Sequence, residues 1–308
     1  VASPRRPRYS SPAPTDRGPG PAPRRAPRGD GRVPARGARR RALSQNFLTD
    51  ASVARAVVRA ADLSPDGLVV EVGAGAGMLT RHLAPACGRL IAYEVDPDLA
   101  ARLAARHGDR VRVVRADFRT AVPPRSPFAV VGNIPYAITA PVVDWCLSAR
   151  RLTGATLITQ LEYARKRTGG FGRWSRLTVR TWPVFSWRMG RRIPRDRFDP
   201  VPRVDSAVLL LRRRAVPLIA PDRLAAYGHL VDLGFTGVGG TLRASLRRAH
   251  PAHRVDAALA AAGVDRSAVV AYVTPDQWVR LAARLLEAPP PRAYRATPRA
   301  EPAPSPHP

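Results

Sequence analysis

Residues 68–94 constrain the fold of this chain more than any other stretch. Leu68-Val69-Val70-Glu71-Val72 is a short apolar run rich in β-branched residues, the pattern of a parallel strand covered on both faces. Gly73-Ala74-Gly75-Ala76-Gly77 follows at once, and a helical segment is expected to begin near Met78-Leu79-Thr80. A second apolar strand, Leu90-Ile91-Ala92-Tyr93, ends in Glu94. Glycines such as Gly73 and Gly75 let a backbone turn sharply and approach a ligand closely. Glu94 stands about twenty residues beyond Gly73, where such units place a carboxylate on ribose hydroxyls. The glycine spacing is GxGxG, not the GxGxxG of dinucleotide sites. Strand, loop, helix, strand and acid in this order point to a nucleoside-bearing cofactor, with NAD as the competing ligand.

Val111-Arg112-Val113-Val114 reads as a third strand, with Asp117 just beyond it. A carboxylate there is placed to accept a hydrogen bond from a cofactor adenine amine; the alternative is an ordinary loop cap. Phe128-Ala129-Val130-Val131 reads as a fourth strand and delivers Gly132-Asn133-Ile134-Pro135-Tyr136 to its carboxyl end. Ligands of open α/β sheets sit outside those ends. The five-residue segment suits an exocyclic adenine amine, whose lone pair is delocalised into the ring. Asn133 offers a side-chain oxygen and Ile134 a carbonyl, so both N–H hydrogens have acceptors. Pro135 stiffens the turn, and Tyr136 can lie flat against the base. A strand followed by a proline turn is the plainer reading of the same residues.

The ordered set resembles the rRNA adenine N6-dimethyltransferase family. Ser44-Gln45-Asn46-Phe47-Leu48 is similar to the family's opening motif, and Glu71-Val72-Gly73-Ala74-Gly75-Ala76-Gly77 to its cofactor loop. Glu94, Asp117 and Asn133-Ile134-Pro135-Tyr136 follow in the family's order. Gln160-Leu161-Glu162-Tyr163-Ala164 and Phe198-Asp199-Pro200-Val201-Pro202-Arg203-Val204-Asp205-Ser206 resemble two further blocks. The likeness runs from about Leu43 to about Leu211. Ser44 before Gln45, and Phe171-Gly172-Arg173-Trp174-Ser175, look more like the Erm group than the housekeeping small-subunit branch. The Erm group modifies one adenine of 23S rRNA and confers macrolide, lincosamide and streptogramin B resistance.

The resemblance implies S-adenosylmethionine as cofactor and a Rossmann-like α/β sheet followed by a small helical domain. It implies that Gly73, Gly75, Glu94 and Asp117 hold the cofactor, and that Asn46 and Leu48 line the same site along with Asn133. Phe198 matches an aromatic that faces the target base opposite Tyr136; an ordinary core phenylalanine is the alternative. The implied reaction is in-line attack of adenine N6 on the donor methyl, once or twice, with positioning and desolvation as the main catalytic means. No nucleophilic residue and no metal is required. The housekeeping dimethyltransferase is the runner-up, and a non-catalytic RNA-binding relative is the rival from another class.

Composition agrees with an RNA partner. Lys and Arg number 51 against 23 Asp and Glu, a net charge of +28, and Lys166 is the single lysine. Such an excess favours phosphate neutralisation and counterion release. No apolar stretch approaches the length of a transmembrane helix and no apolar core follows Val1, so a membrane is not expected and a cytoplasmic location is. Residues 1–42 read as a disordered tail: positions 1–41 hold twelve Arg, two Asp and nine Pro, too little apolar surface to fold alone. Either an RNA tether or a solvated extension suits it. Residues 43–214 read as the methyltransferase domain and 215–287 as a helical RNA-binding domain, the switch falling near Arg212-Arg213-Arg214. Helices with basic faces are expected at 222–232, 241–248, 254–262 and 275–286. Residues 288–308 read as a Pro-rich disordered tail. Cys87 and Cys146 lack CxxC spacing and are expected to be buried thiols. His250 and His253 have no accompanying ligand set, so no metal is expected. A monomer acting on naked or precursor 23S rRNA, with no obligate protein partner, completes the expectation.

Overall fold

The computed structural model describes residues 46–286. The two expected tails, Leu43 and positions 44–45 of the opening motif lie outside the described residues. The chain enters through a two-residue strand, β1 (Phe47–Leu48), and a helix, α1 (Ala51–Ala61). Asp50 starts α1 by accepting the N–H groups of Ser52 at 2.7 Å and Val53 at 3.3 Å, which satisfies two of the open donors of a helix start. Val53, Ala54, Val57 and Ala61 recur at helical spacing and form its buried face.

The glycine-loop unit follows as β2 (Leu68–Val72), the single-turn helix α2 (Thr80–Leu83) and β3 (Arg89–Glu94). All five residues of β2 are buried, as its unbroken apolar run requires. Next come α3 (Pro97–His107), β4 (Val111–Arg115), β5 (Phe128–Asn133) and α4 (Thr139–Ser148). They are followed by β6 (Leu152–Gln160), α5 (Leu161–Arg167), α6 (Arg176–Thr181), β7 (Phe185–Ile193), β8 (Phe198–Asp199) and β9 (Ser206–Arg213).

Seven strands form one sheet in the order β4-β3-β2-β5-β6-β9-β7. The first five are parallel, and β9 runs antiparallel between β6 and β7. From β2 the chain winds outward one way through β3 and β4, then returns to β5 and winds the other way. The reversal lies between β2 and β5, where doubly wound sheets open a ligand crevice. Two apolar layers flank the sheet, one containing Val70, Val72 and Phe128 and the other Val69, Leu90 and Ile158. The α/β class and the Rossmann-like sheet expected from residues 68–133 are thus observed. A separate ribbon pairs β1 with β8 antiparallel, Phe47 opposite Asp199 and Leu48 opposite Phe198.

The run Arg212-Arg213-Arg214 is part of this scaffold. Arg212 donates to the carbonyls of Ala60 and Ala61 at 2.6 and 2.9 Å and so closes the carboxyl end of α1. Arg213 donates to Leu152 and Ala149 at 2.7 and 2.9 Å and lies over the Phe185 ring. Arg214 donates to Trp182 at 3.1 Å and lies over that indole. These three cations serve internal carbonyls and rings.

The last four helices are α7 (Leu224–Gly234), α8 (Leu242–Leu246), α9 (Ala252–Ala262) and α10 (Pro275–Leu285), close to the expected spans. Their core surrounds the fully buried Trp278 with Tyr227, Val231, Leu242, Val255 and Leu281. Gly234 permits this packing, since a Cβ there would stand 2.4 Å from the indole. Thr274 and Gln277 form a reciprocal capping box at the start of α10. Two residues preceding the expected boundary at 214/215 also belong to this core. Val179 of α6 is fully buried within it and Trp174 packs against it. The Tyr227 hydroxyl donates to the Val179 carbonyl at 2.9 Å.

Cys146 is buried, as expected. Cys87 is not: it follows a short turn and is only partly covered, its thiol reaching the Leu83 carbonyl at 3.2 Å. It lies between the short turn Ala84–Ala86 and β3, and packs only partly covered against the core that holds Leu83. No helix among the described residues is long and apolar enough to cross a membrane.

Candidate active site

A pocket opens at the carboxyl ends of β2, β3 and β5, where the strand order reverses. Asn46, Gly73, Gly75, Glu94, Asp117, Asn133, Ile134, Tyr136 and Phe198 all line it. Sequence separation between these residues reaches from position 46 to 198, so the fold gathers nine of the ten expected site residues around one space. Leu48 is the exception. It is buried in the core beside Phe198 and borders a smaller adjoining cavity. Successive side chains of a strand face opposite ways; Phe47, which was assigned no role, lines the pocket instead.

The glycine loop takes positive φ at residues 73, 75 and 77. At Gly75 a Cβ would stand 3.0 Å from the Phe47 ring in addition to that backbone strain. The Gly75 N–H donates to Glu94 Oε2 at 2.7 Å, and the Asp96 N–H donates to Oε1 at 2.9 Å. Glu94 therefore ties the loop to the end of β3. A carboxylate oxygen has two acceptor positions, so each retains capacity for a ligand hydroxyl. Burial pushes the Glu94 carboxyl above its ordinary range, and the two backbone donors oppose that shift.

Glu71 is a second buried carboxyl that sequence reasoning left without a role. It is 1 % exposed. Its Oε2 accepts the Thr80 hydroxyl at 2.7 Å, while Oε1 has no partner within the protein. Burial pushes its pKa up to about 8. Glu71 borders the smaller cavity with Gly73, Gly75 and Asn133. The available signal was an ionisable residue in a strand otherwise apolar at every position.

Asp117 caps the short turn Phe118–Thr120, accepting the Arg119 N–H at 2.9 Å. Its carboxylate also pairs with the Arg119 guanidinium at 2.5 Å, which holds the Asp117 pKa below the usual range. The loop-cap alternative is therefore present in the structure, and Arg119 joins the pocket lining.

Asn133 donates through Nδ2 to the Asn46 carbonyl at 2.7 Å. A carbonyl can only accept, so this contact fixes which end of the amide is nitrogen and turns Oδ1 away from Asn46. Gly132 explains how Asn133 gets there: a Cβ at Gly132 would stand 2.6 Å from the Val72 carbonyl. The next N–H, of Ile134, donates to the Ile158 carbonyl at 3.1 Å. Together with the buried Ile134 side chain, this holds the peptide that carries the expected second acceptor.

Tyr136 opens the turn Tyr136–Ile138, and its hydroxyl shares a 2.9 Å hydrogen bond with Ser206 Oγ. Burial raises its pKa, so the phenol stays neutral at physiological pH. Phe198 is 3 % exposed and belongs both to the pocket wall and to the apolar core. The arrangement offers two aromatic faces, oriented amide and carbonyl acceptors, and a glycine turn backed by carboxylates. Such a pocket suits a flat base beside a nucleoside. Among the described residues no group of three or more His, Cys, Asp or Glu is placed to hold a metal.

Comparison with known proteins agrees with this geometry. Residues 37–287 match the family model described as ribosomal RNA adenine dimethylase. An rRNA adenine N-6-methyltransferase of Streptomyces fradiae is 57% identical over 244 residues, covering 78% of this chain and 76% of that protein. The mycinamicin-resistance protein MyrB of Micromonospora griseorubida is 35% identical over 249 residues, covering 81% and 79%. Among solved structures, the 23S rRNA methyltransferase ErmE superposes with a TM-score of 0.76 at 52% identity, covering 79% of this chain and all of that one.

Proposed function

The chain belongs to the ribosomal RNA adenine dimethylase family and is an rRNA adenine N6-methyltransferase of the Erm type, and we propose that it uses S-adenosylmethionine to methylate one adenine of 23S rRNA once or twice. The observation that carries the residue-level reading is the Asn133 amide, oriented by Asn46 so that an acceptor remains for the amine of a base. S-adenosylmethionine supplies a methyl group already activated by its sulfonium. The pocket fits such a cofactor: Gly73 and Gly75 line it in a positive-φ turn, and the Glu71 Oε1 beside it lacks a partner within the protein.

In this reading Gly73 and Gly75 accommodate the cofactor backbone side, Glu94 accepts ribose hydroxyls and Asp117 accepts the cofactor adenine amine. Asn46 acts through its carbonyl, and Leu48 supports the ribbon from the core. The target adenine leaves its stack and enters between Tyr136 and Phe198. Asn133 Oδ1 and the Ile134 carbonyl accept its two amine hydrogens. As those bonds tighten, the nitrogen lone pair localises and its nucleophilicity rises. Tyr136 and Phe198 exclude water and set the ring plane, so the chain contributes position and desolvation. The released proton passes to solvent. We place the boundary between methyltransferase and helical RNA-binding domains near residues 214–215 in chain order, with Trp174 and Val179 contributed to the helical core from before it, and we read the protein as a cytoplasmic monomer acting on naked or precursor rRNA.

Methylation of the adenine amine removes donor hydrogens from a drug that bonds it and adds bulk where the drug packs. An unmade polar contact costs about 1–3 kcal/mol. Expression in a macrolide-sensitive bacterium is expected to raise resistance to macrolides, lincosamides and streptogramin B together, with N6-methyladenine appearing in 23S rRNA. Asn133→Ala is expected to lower both together. Undiminished resistance in a well-expressed Asn133→Ala strain whose 23S rRNA methylation has fallen would replace catalysis by mere occupancy of the RNA. Methyl groups found on small-subunit rRNA instead would move the assignment to the housekeeping branch.

A further inference from the structure

Outside the pocket, one surface combines exposed aromatic rings with cations. Phe171 is 50 % exposed and Tyr272 is 53 % exposed. The Arg165 guanidinium lies 5.9 Å from the centre of the Phe171 ring, and that of Arg173 lies 5.4 Å from the Tyr272 ring. Arg173 Nε also donates to the Tyr272 hydroxyl at 3.2 Å. Neither ring belongs to an apolar core of the described fold.

Phe171 is held outward by an ordered turn. The Gly170 N–H donates to the Arg165 carbonyl at 2.9 Å, and the Gly172 N–H donates to Gly169 at 2.9 Å. Gly169 has φ +73°, and a Cβ on it would stand 2.6 Å from the Trp174 indole. The turn is joined to the helical lobe by the Trp174 N–H, which donates to the Ala271 carbonyl at 2.7 Å. Tyr272 lies on the adjoining short turn Val270–Tyr272. The two rings are therefore carried on segments fixed to one another across the two cores. A fold gains little from displaying two half-exposed rings on braced turns, whereas a binding surface gains by having them ordered in advance.

We propose that Phe171 and Tyr272, with Arg165 and Arg173, form a stacking platform for unpaired nucleotides of the substrate RNA outside the catalytic pocket. Every base presents a π-face, and Arg beside an aromatic ring supplies charge for the neighbouring phosphate. The position suits an accessory contact. α5 leaves β6 at Gln160, which pairs in register with Ser206, the residue that holds Tyr136. Seven helical residues, about 10 Å at 1.5 Å each, then lead to the turn bearing Phe171. The platform thereby gives the enzyme a grip on RNA that does not depend on the target base itself. This inference rests on the proposed action on RNA.

The test is fluorescence anisotropy with a protein-free RNA hairpin carrying an unpaired adenine-containing loop, with 2-aminopurine in the loop as a stacking reporter. Phe171→Ala and Tyr272→Ala are each expected to weaken binding about five-fold or more, and the double variant further. The 2-aminopurine emission, quenched by the wild type, should recover in the same variants. Phe171→Tyr and Tyr272→Phe should retain affinity, because the ring is kept. The log–log salt slope should stay unchanged in the alanine variants and become shallower in Arg173→Gln. Cofactor affinity and circular dichroism should not change in any variant. A double alanine variant binding the hairpin within two-fold of wild type overturns the platform. So does a loss of methylation on precursor ribosomal particles with full affinity for the hairpin, which would assign the surface to a ribosomal protein. Failure of the wild type to methylate 23S rRNA would be read by methyl transfer, not by this binding assay, and so remains a separate outcome.

Discussion

Asn133 Nδ2 sits 2.7 Å from the carbonyl oxygen of Asn46, 87 positions earlier in the chain. The contact is possible because β1 pairs with β8 and thereby lays the entering segment across the carboxyl end of β5. It makes the orientation of the amide a property of the fold and not of the substrate.

Replacement of Asn133 by Asp tests that orientation. The carboxylate would place an acceptor against the Asn46 carbonyl, so both groups would repel where they now bond. Asn133→Asp and Asn133→Ala are expected to lower kcat/KM for methyl transfer by about five- to 150-fold, the equivalent of about 1–3 kcal/mol. Calorimetric affinity for S-adenosylmethionine should change by much less. Loss of cofactor affinity equal to the loss of activity would place Asn133 in cofactor binding alone.

The Tyr136–Ser206 hydrogen bond separates the role of the ring from that of its hydroxyl. Tyr136→Ala should cost activity heavily, since the base loses its stacking surface. Tyr136→Phe and Ser206→Ala should each cost about two- to twelve-fold, the worth of one net hydrogen bond of about 0.5–1.5 kcal/mol. The double variant Tyr136→Phe/Ser206→Ala should cost no more than either single one, because both remove the same contact. Additive losses would assign the hydroxyl a role beyond anchoring the ring.

Glu94 carries two expected tasks, and two readouts distinguish them. Glu94→Ala removes the acceptor for the Gly75 and Asp96 N–H groups, so the melting temperature should fall without any ligand. It should also weaken cofactor binding, by about 1.5–3 kcal/mol if a charge-assisted bond to ribose is lost. Reduced stability with unchanged cofactor affinity would leave Glu94 as a loop brace only.

Glu71 makes stability depend on pH. Its folded-state pKa, about 8, lies above the ordinary carboxyl value. Between those values the folded state holds a proton that the unfolded chain has lost, so stability falls as pH rises across that range. Glu71→Gln keeps the shape and removes the titration. Thermal unfolding from pH 5 to pH 8 should show a declining melting temperature in the wild type and a flatter profile in the variant. Parallel profiles would exclude Glu71 as the source.

Much of the site could be read along the chain because its local pieces are contiguous. The strand–glycine–helix–strand–acid order at 68–94 and the Gly132–Tyr136 segment are each one continuous stretch of chain, where period and spacing carry the signal. What joins them was not legible. A two-residue strand such as β1 has no periodicity, so its pairing with β8 is decided by tertiary context. The same holds for Gly132, whose missing Cβ matters most against the Val72 carbonyl on another strand. Arg212-Arg213-Arg214 looked like a break between domains. A charge run is ordinarily a solvated face, yet here each guanidinium caps carbonyls that no sequence pattern pairs with it.

Val179 is fully buried in the helical lobe although α6 lies in the chain between two strands of the sheet. The lobe is thus closed by a piece of chain belonging, by order, to its neighbour. Cutting after Arg214 would yield a fragment with a missing wall and a remainder with a bare apolar ridge. A lobe exchanged between relatives to retarget the enzyme would need to travel with the 174–182 segment, as a graft taken with its rootstock. If the lobe reads RNA as proposed, its preference would be carried by two separated stretches that change together.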